Sequence, residues 1–360
     1  MKIAFITRST LYSVPGGDTV QVVQTSKHLN ELGLQTEILL TNQRIDYRPY
    51  DLLHFSNLIR PADILLHAKK SGKPYVVSPN LVDYSEYDKH ERKGLPGKLF
   101  RLFSPSTNEY LKTIARWILG KDALRTTRYL LKGQKKSIRD VISSCACILP
   151  NSPGEDTRLR KQYGQSTKTY IVPNGINARV FRHDANAKKN PRLVVCAARI
   201  EGLKNQLNLI HALNDSEFTL VIAGAAAPNQ TKYLQECRRK AAANILFTGR
   251  LSENDVAGLL KTAKVHALPS WFETCGLSTL EAAAMGCNVV ITDKGYTRDY
   301  FGDHAFYCNP ADPESILSAV RNAAASESSV RLQQEIATRF TWEKAAEKTL
   351  QAYQSIMAIH

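Results

Sequence analysis

The sequence predicts an α/β protein built from two Rossmann-like, doubly wound parallel-sheet domains. Short apolar runs alternate with helical patterns from the first residue, the mark of a parallel sheet covered by helices. That alternation occurs twice, on either side of a polar and basic stretch over residues 178–191. A chain of 360 residues is also long enough for two separate cores.

In the first series the strand runs are Ile3 to Ile6, Thr36 to Leu40, Leu52 to Phe55 and Tyr75 to Ser78, with helices expected over Asp18 to Leu32 and Ala62 to Lys70. Between the first strand and its helix, Gly16 and Gly17 permit close approach of a ligand to the carboxyl edge of the sheet, although a tight turn uses the same pair. The stretch from Leu95 to Val141 interrupts the alternation. Leu111, Ile114, Ala115 and Ile118, and later Ile138, Val141 and Ile142, recur at helical spacing, which predicts two or three inserted amphipathic helices. The strands resume at Ala146 to Leu149 and Lys168 to Val172, with a helix opening at Pro150-Asn151-Ser152 between them.

In the second series the strand runs are Leu193 to Ala197, Thr219 to Ala223, Ile245 to Phe247, Val265 to Leu268, Asn288 to Ile291 and Ala305 to Cys308. Helices are expected near Leu203 to Leu213, Thr231 to Ala242, Glu253 to Ala263 and Leu277 to Met285. A last helix starts at Thr341-Trp342, with apolar residues at Ala345, Leu350, Tyr353 and Ile356.

The informative stretch runs from Ser270 to Gly286. Pro269 closes a buried strand, and the residues from Leu277 onward are good helix formers stopped by Gly286, so the order is strand, loop, helix. A helix opening at the carboxyl end of a parallel strand offers unpaired N–H groups and its positive dipole end, a natural seat for phosphate. Gly276 lets backbone come close to such a ligand. Glu273 on the loop and Glu281 one turn into the helix would repel a phosphate, so their use is to accept hydrogen bonds from hydroxyls beside it. Ser278-x-x-Glu281 also reads as a capping box needing no ligand.

The whole string, with seven residues between Glu273 and Glu281, Gly276-Leu277 three residues after the first glutamate and Glu281-Ala282 at the second, closely resembles the signature of glycosyltransferase family 4. The resemblance implies the GT-B fold, two such domains facing a central cleft: 1–175 on the acceptor side, with a basic insertion at about 89–140, and 190–340 on the nucleotide-sugar side. The terminal helix at about 341–360 would return to the first domain. Arg199 and Lys204, on the loop after the second domain's first strand, match the family's cations that hold the donor diphosphate, and with Glu273 they form the implied catalytic set. Thr274, Gly276, Leu277, Ser278 and Glu281 would bind the donor, and Arg250 and Leu251 match the segment that holds the nucleobase. The implied reaction is retaining, with the leaving phosphate as proton acceptor. Fixed cations would stabilise that phosphate, with no cofactor and no divalent metal. The sequence departs from the pattern twice. Cys275 stands where an aromatic residue is commonest, and the loop Pro79 to Tyr84 lacks the family's histidine, so that Asn80 or Asp83 stands in or the role is absent. His54 matches another family histidine, a position a satisfied core residue would also fill.

Charge and cysteines bound the setting. The net charge is +15, and between Lys89 and Arg139 fourteen Lys or Arg stand against three acids. Basic helices with aromatic residues interleaved suit peripheral contact with anionic lipid as much as a solvated face. No apolar run approaches the ~18 to 20 residues of a membrane span. Seven cysteines without a C-x-x-C pair fit buried free thiols in a reducing cytoplasm. The partners the resemblance implies are a nucleotide-sugar donor and a glycan or lipid-linked acceptor of surface polysaccharide or lipopolysaccharide assembly, and the basic helices suit the inner face of the membrane. Two other readings stay open: a basic polyanion-binding protein, disfavoured because no nucleic-acid-binding signature is present, and an epimerase or phosphorylase on the same fold.

Overall fold

The structure, a computed structural model, describes residues 1–90, 107, 110–111 and 127–358. The chain divides into two compact units: Met1–Leu81 with Lys93–Asn174 and Trp342–His360, and Val82–Arg92 with Gly175–Thr341.

In the first unit β1 (Lys2–Thr7), β2 (Gln35–Leu40), β3 (Leu52–Ser56), β4 (Tyr75–Ser78) and β5 (Cys147–Ile148) form one parallel sheet in the order β2-β1-β3-β4-β5. Ile3 to Ile6 and Leu52 to Phe55 are buried throughout, as strands covered on both faces must be. The covering helices are α1 (Gly17–Glu31), α2 (Pro61–Ser71), α4 (Thr127–Ser144), α5 (Pro153–Tyr163) and α13 (Trp342–Met357), the last packed on α1. Ser152 caps α5 by accepting from the Glu155 N–H, and Pro153 takes the first helical position. His54 is a satisfied core residue. Its Nδ1 meets the Tyr353 hydroxyl at 2.6 Å and its Nε2 the Ser78 hydroxyl at 2.8 Å, and burial pushes its pKa down to about 3.

Two expectations change here. Lys168 to Val172 forms no strand; it makes one bridge, Thr169 to Ile148, because its neighbour β5 is only two residues long and offers no ladder. Of the basic insertion, the described residues are 89–90, 107, 110–111, where Leu111 is exposed, and α4, broken at Gly133, with Ile138, Val141 and Ile142 buried and Lys135, Lys136 and Arg139 exposed. Ile114, Ala115 and Ile118 lie outside the described residues. Among those described, no helix is long and apolar enough to cross a membrane.

The second unit holds β6 (Asn190–Ala197), β7 (Thr219–Ala223), β8 (Ile245–Gly249), β9 (Ala263–Leu268), β10 (Asn288–Thr292) and β11 (Phe306–Cys308), all parallel, in the order β11-β10-β9-β6-β7-β8. Alternate residues face opposite layers. Val195, Val289 and Ile291 join Leu280 and Ala283 of α9 (Leu277–Ala284) in one core, while Val194, Cys196 and Val290 join Leu209 of α6 (Gln206–Leu213) and Ile316 of α11 (Pro313–Ala325) in the other. The remaining helices are α3 (Ser85–His90), α7 (Thr231–Lys240), α8 (Glu253–Thr262), α10 (Arg298–Phe301) and α12 (Val330–Arg339). The sequence reading passed over α3, α10, α11 and α12, although Asp312 and Pro313 are start signals for α11 and Ile316, Val320 and Ala323 give it a helical apolar stripe.

The polar stretch 178–191 packs on the second unit: Phe181 is buried, Asp184 pairs with Lys261 at 2.8 Å, and Lys189 Nζ donates to the carbonyls of Leu260 and Met285. The seven cysteines are free and buried, as composition suggested.

Candidate functional site

The strand order of the second sheet reverses between β6 and β9, so the loops leaving these two neighbours diverge and open a crevice at their carboxyl ends. The first loop runs from Ala198 to Asn205 and the second from Pro269 to Gly276. The helix expected from Leu203 is broken: Gly202–Lys204 is a 3₁₀ turn, and α6 begins only after Asn205. Asn205 holds a left-handed conformation because its amide Nδ2 donates to the carbonyls of Pro269 at 3.0 Å and Pro310 at 2.7 Å. The Trp271 N–H donates to the Leu203 carbonyl, which ties the two loops together.

That stitching brings Lys204 onto Glu273. Lys204 Nζ lies 2.6 Å from Glu273 Oε2, with side chains 19% and 8% exposed. Ser270, fully buried, donates to the same Oε2 at 3.1 Å. Both donors fall on one oxygen, so Oε1 is the one left for a further group. Burial opposes the Lys204 ammonium, but Glu273 and then Glu201 outweigh it, and its pKa is raised. Arg199 Nη2 meets Glu201 Oε1 at 2.8 Å on the same loop. The backbone of Glu273 is fixed as well, donating to the Lys294 carbonyl and accepting from the Tyr296 N–H. This pairing requires glycine at 295, where a Cβ would sit 1.9 Å from the Glu273 carbonyl oxygen.

Gly276, at φ +69°, is the N-cap of α9. Ser278 is therefore the second helical residue rather than the cap, and the capping-box reading of Ser278 and Glu281 does not hold. Thr274, Leu277 and Ser278 are half-buried around this helix opening. Glu281 lies one turn in, half-buried; among the described residues its carboxylate has no hydrogen-bond partner, and burial, with a smaller push from Glu253, raises its pKa to about 8. An acid whose folded pKa exceeds its unfolded value stabilises the protein while protonated and loses that contribution as pH rises toward the folded value. Glu281→Gln is accordingly expected to exceed the wild-type Tm by more at pH 9 than at pH 6, by roughly 2 kcal/mol at the alkaline end; an equal gap at both pH values would show that the carboxyl is not desolvated.

The other residues singled out by sequence are placed as follows. Arg250 is exposed just beyond β8 and Leu251 packs on the α9 core. Asp83 Oδ1 accepts from the Ser85 N–H at the start of α3. In the first unit Asn80 closes a ring of three amides: its Nδ2 donates to Gln21, Gln21 donates to Asn151, and Asn151 donates back to Asn80. Beside that ring the buried Glu155 carboxylate accepts from the N–H groups of Leu81 and Asn151, and burial raises its pKa to about 7. Gly16 caps α1 at φ −149°, a conformation open to any residue, and Gly17 begins the helix. Arg8 braces this turn through a bidentate contact with Asp18. Ser270, Glu201 and Asn205 were missed: Ser270 and Glu201 touch groups three and two positions away but match no pattern that marks them, and Asn205 reaches carbonyls 64 and 105 positions away.

Residues 178–356 match the family model described as glycosyl transferases group 1. Those 179 of the chain's 360 residues carry the likeness to this family. Over 196 residues it is 28% identical to a glycogen synthase of Mycobacterium tuberculosis, a match covering 51% of this chain and 47% of the relative, so it spans about half the length of such curated relatives. In structure the chain is similar to a sucrose-phosphate synthase from Thermosynechococcus elongatus, with TM-score 0.75 at 15% identity and full coverage of both chains. It is also similar to Anabaena HepE in complex with UDP and glucose, with TM-score 0.72 at 15% identity over 99% of this chain and 100% of that one. The two-domain GT-B architecture expected from the sequence is thus the fold of this chain.

Proposed function

We propose that the protein transfers a sugar from a nucleoside-diphosphate sugar to a glycan or lipid-linked acceptor of surface polysaccharide or lipopolysaccharide assembly. The observation that carries this is the Lys204–Glu273 pair, which sets a cation and a sugar-binding carboxylate side by side next to the amino end of α9. Breaking a sugar–diphosphate bond builds negative charge on the leaving phosphate. Arg199, Lys204 and the amides near Gly276 and Ser278 are fixed donors that can stabilise it without a metal. Glu273 Oε1 receives a hydroxyl of the transferred sugar and the Glu281 carboxyl group bonds a ribose hydroxyl. Retention of configuration follows if the leaving phosphate accepts the acceptor's proton on the face it departs from. The UDP and glucose in the Anabaena relative support a donor of this class. The exposed Lys135, Lys136 and Arg139 of α4 supply the charge for a peripheral contact with an anionic membrane face.

A thermal-shift screen against UDP-, GDP-, ADP- and CMP-sugars tests the reading. One diphosphate sugar at 100 times its Kd is expected to stabilise the protein by ~2.7 kcal/mol, and transfer from it is expected to survive EDTA. No shift with any diphosphate sugar at millimolar concentration overturns the donor assignment; loss of transfer in EDTA, restored by a divalent ion, overturns metal independence.

A further inference from the structure

Both cations assigned to the diphosphate already carry a carboxylate: Lys204 meets Glu273, and Arg199 meets Glu201. The two carboxylates differ in what else they do. Glu273 is shared between Lys204 and Ser270 and has a free oxygen for the sugar. Glu201 bonds through its side chain only to Arg199 among the described residues, and it lies within the β6 loop itself, two positions from its partner. It also acts on Lys204, whose ammonium it stabilises. With Glu201 ionised, two cations and two carboxylates balance to zero before any ligand arrives. A guanidinium has five N–H donors, and here Nη2 is engaged by Glu201.

We propose that Glu201 is a built-in counter-anion for the diphosphate site: it holds Arg199 in the free protein, competes with the incoming diphosphate, and so limits how tightly the nucleoside diphosphate product is retained. The proposal deepens the donor-site reading and rests on it. A carboxylate beside the phosphates weakens the donor and the product alike, and it helps turnover where product release is the slow step, as it is in many enzymes. The anionic diphosphate feels this charge; a nucleoside without phosphates does not.

The test titrates the nucleoside diphosphate selected by the thermal screen, and its parent nucleoside, against wild type, Glu201→Gln, Glu201→Asp and Lys204→Ala by calorimetry. Glu201→Gln is expected to bind the diphosphate about five- to tenfold more tightly, the size of one unit charge acting over several ångströms in a partly wet loop, with nucleoside affinity unchanged and stronger product inhibition. Glu201→Asp, which keeps the charge, is expected to stay within twofold of wild type. Should Glu201→Gln be poorly soluble, Glu201→Ser makes the same comparison. Equal or weaker diphosphate binding by the neutral variant overturns the proposal, and so do equal gains by the Gln and Asp variants, which would assign the effect to loop shape. If Lys204→Ala leaves diphosphate binding intact, the donor-site reading itself fails; if Lys204→Ala weakens binding while Glu201→Gln changes nothing, only the counter-anion fails.

Discussion

Replacing Glu273 with Gln is expected to slow sugar transfer by about 10²- to 10³-fold, the range seen when one fixed hydrogen-bonding group of a catalytic site is lost. The variant keeps the shape and the Ser270 donor but removes the charge that holds Lys204 at 2.6 Å and the acceptor strength of the free oxygen. An uncharged amide accepts a sugar hydroxyl less strongly than a carboxylate does, because charge-assisted hydrogen bonds are roughly twice as strong as neutral ones. Freed from its carboxylate, Lys204 can still meet phosphate, so the loss is expected chiefly in kcat, with KM for the donor changed little. Steady-state rates with the correct donor decide this. Transfer at the wild-type rate would remove Glu273 from the reaction and with it the proposed site.

Lys204→Ala is expected to do two kinds of damage at once. The Glu273 carboxylate, 8% exposed, would be left with Ser270 as its one side-chain donor. Breaking a buried pair from one side costs several kcal/mol because an uncompensated charge remains, and since Lys204 is itself 19% exposed, a loss of about 3 kcal/mol is expected. The donor loses a point charge on its diphosphate as well, which should raise its Kd by at least ~10-fold. Stability and binding can be separated by a second change. In Lys204→Met with Glu273→Gln no buried charge is left, so chemical denaturation should return close to wild type while nucleotide binding stays weak. If Lys204→Ala is as stable as wild type and binds the donor as well, the two loops do not share a site.

The residues that made the site legible in sequence are those whose role is local. Glu273 and Glu281 stand out because a strand, a proline, a loop and a helix opening follow one another within twenty positions, and Gly276 marks the turn where the structure places its left-handed N-cap. Arg199 and Lys204 were reached by their position after a strand and by family pattern. Asn80 was marked in sequence as a ligand-side candidate, but its amide is occupied by Gln21 and Asn151, 59 and 71 positions away in the chain.

By itself the sequence determined the class of fold, the positions of β1 to β11 with most of the longer helices between them, the buried free cysteines and the loop that carries the signature. Apolar period, turn residues and helix starts act over a few neighbours, so they can be read along the chain. Tertiary structure alone decided that Lys204 closes on Glu273 across 69 residues, that Asn205 breaks a helix to reach two carbonyls, and that His54 joins Tyr353 across 299. Each of these is a hydrogen bond between groups made neighbours by the sheet order. A bond of that kind is set by distance and direction in space, which no local pattern of residue types contains.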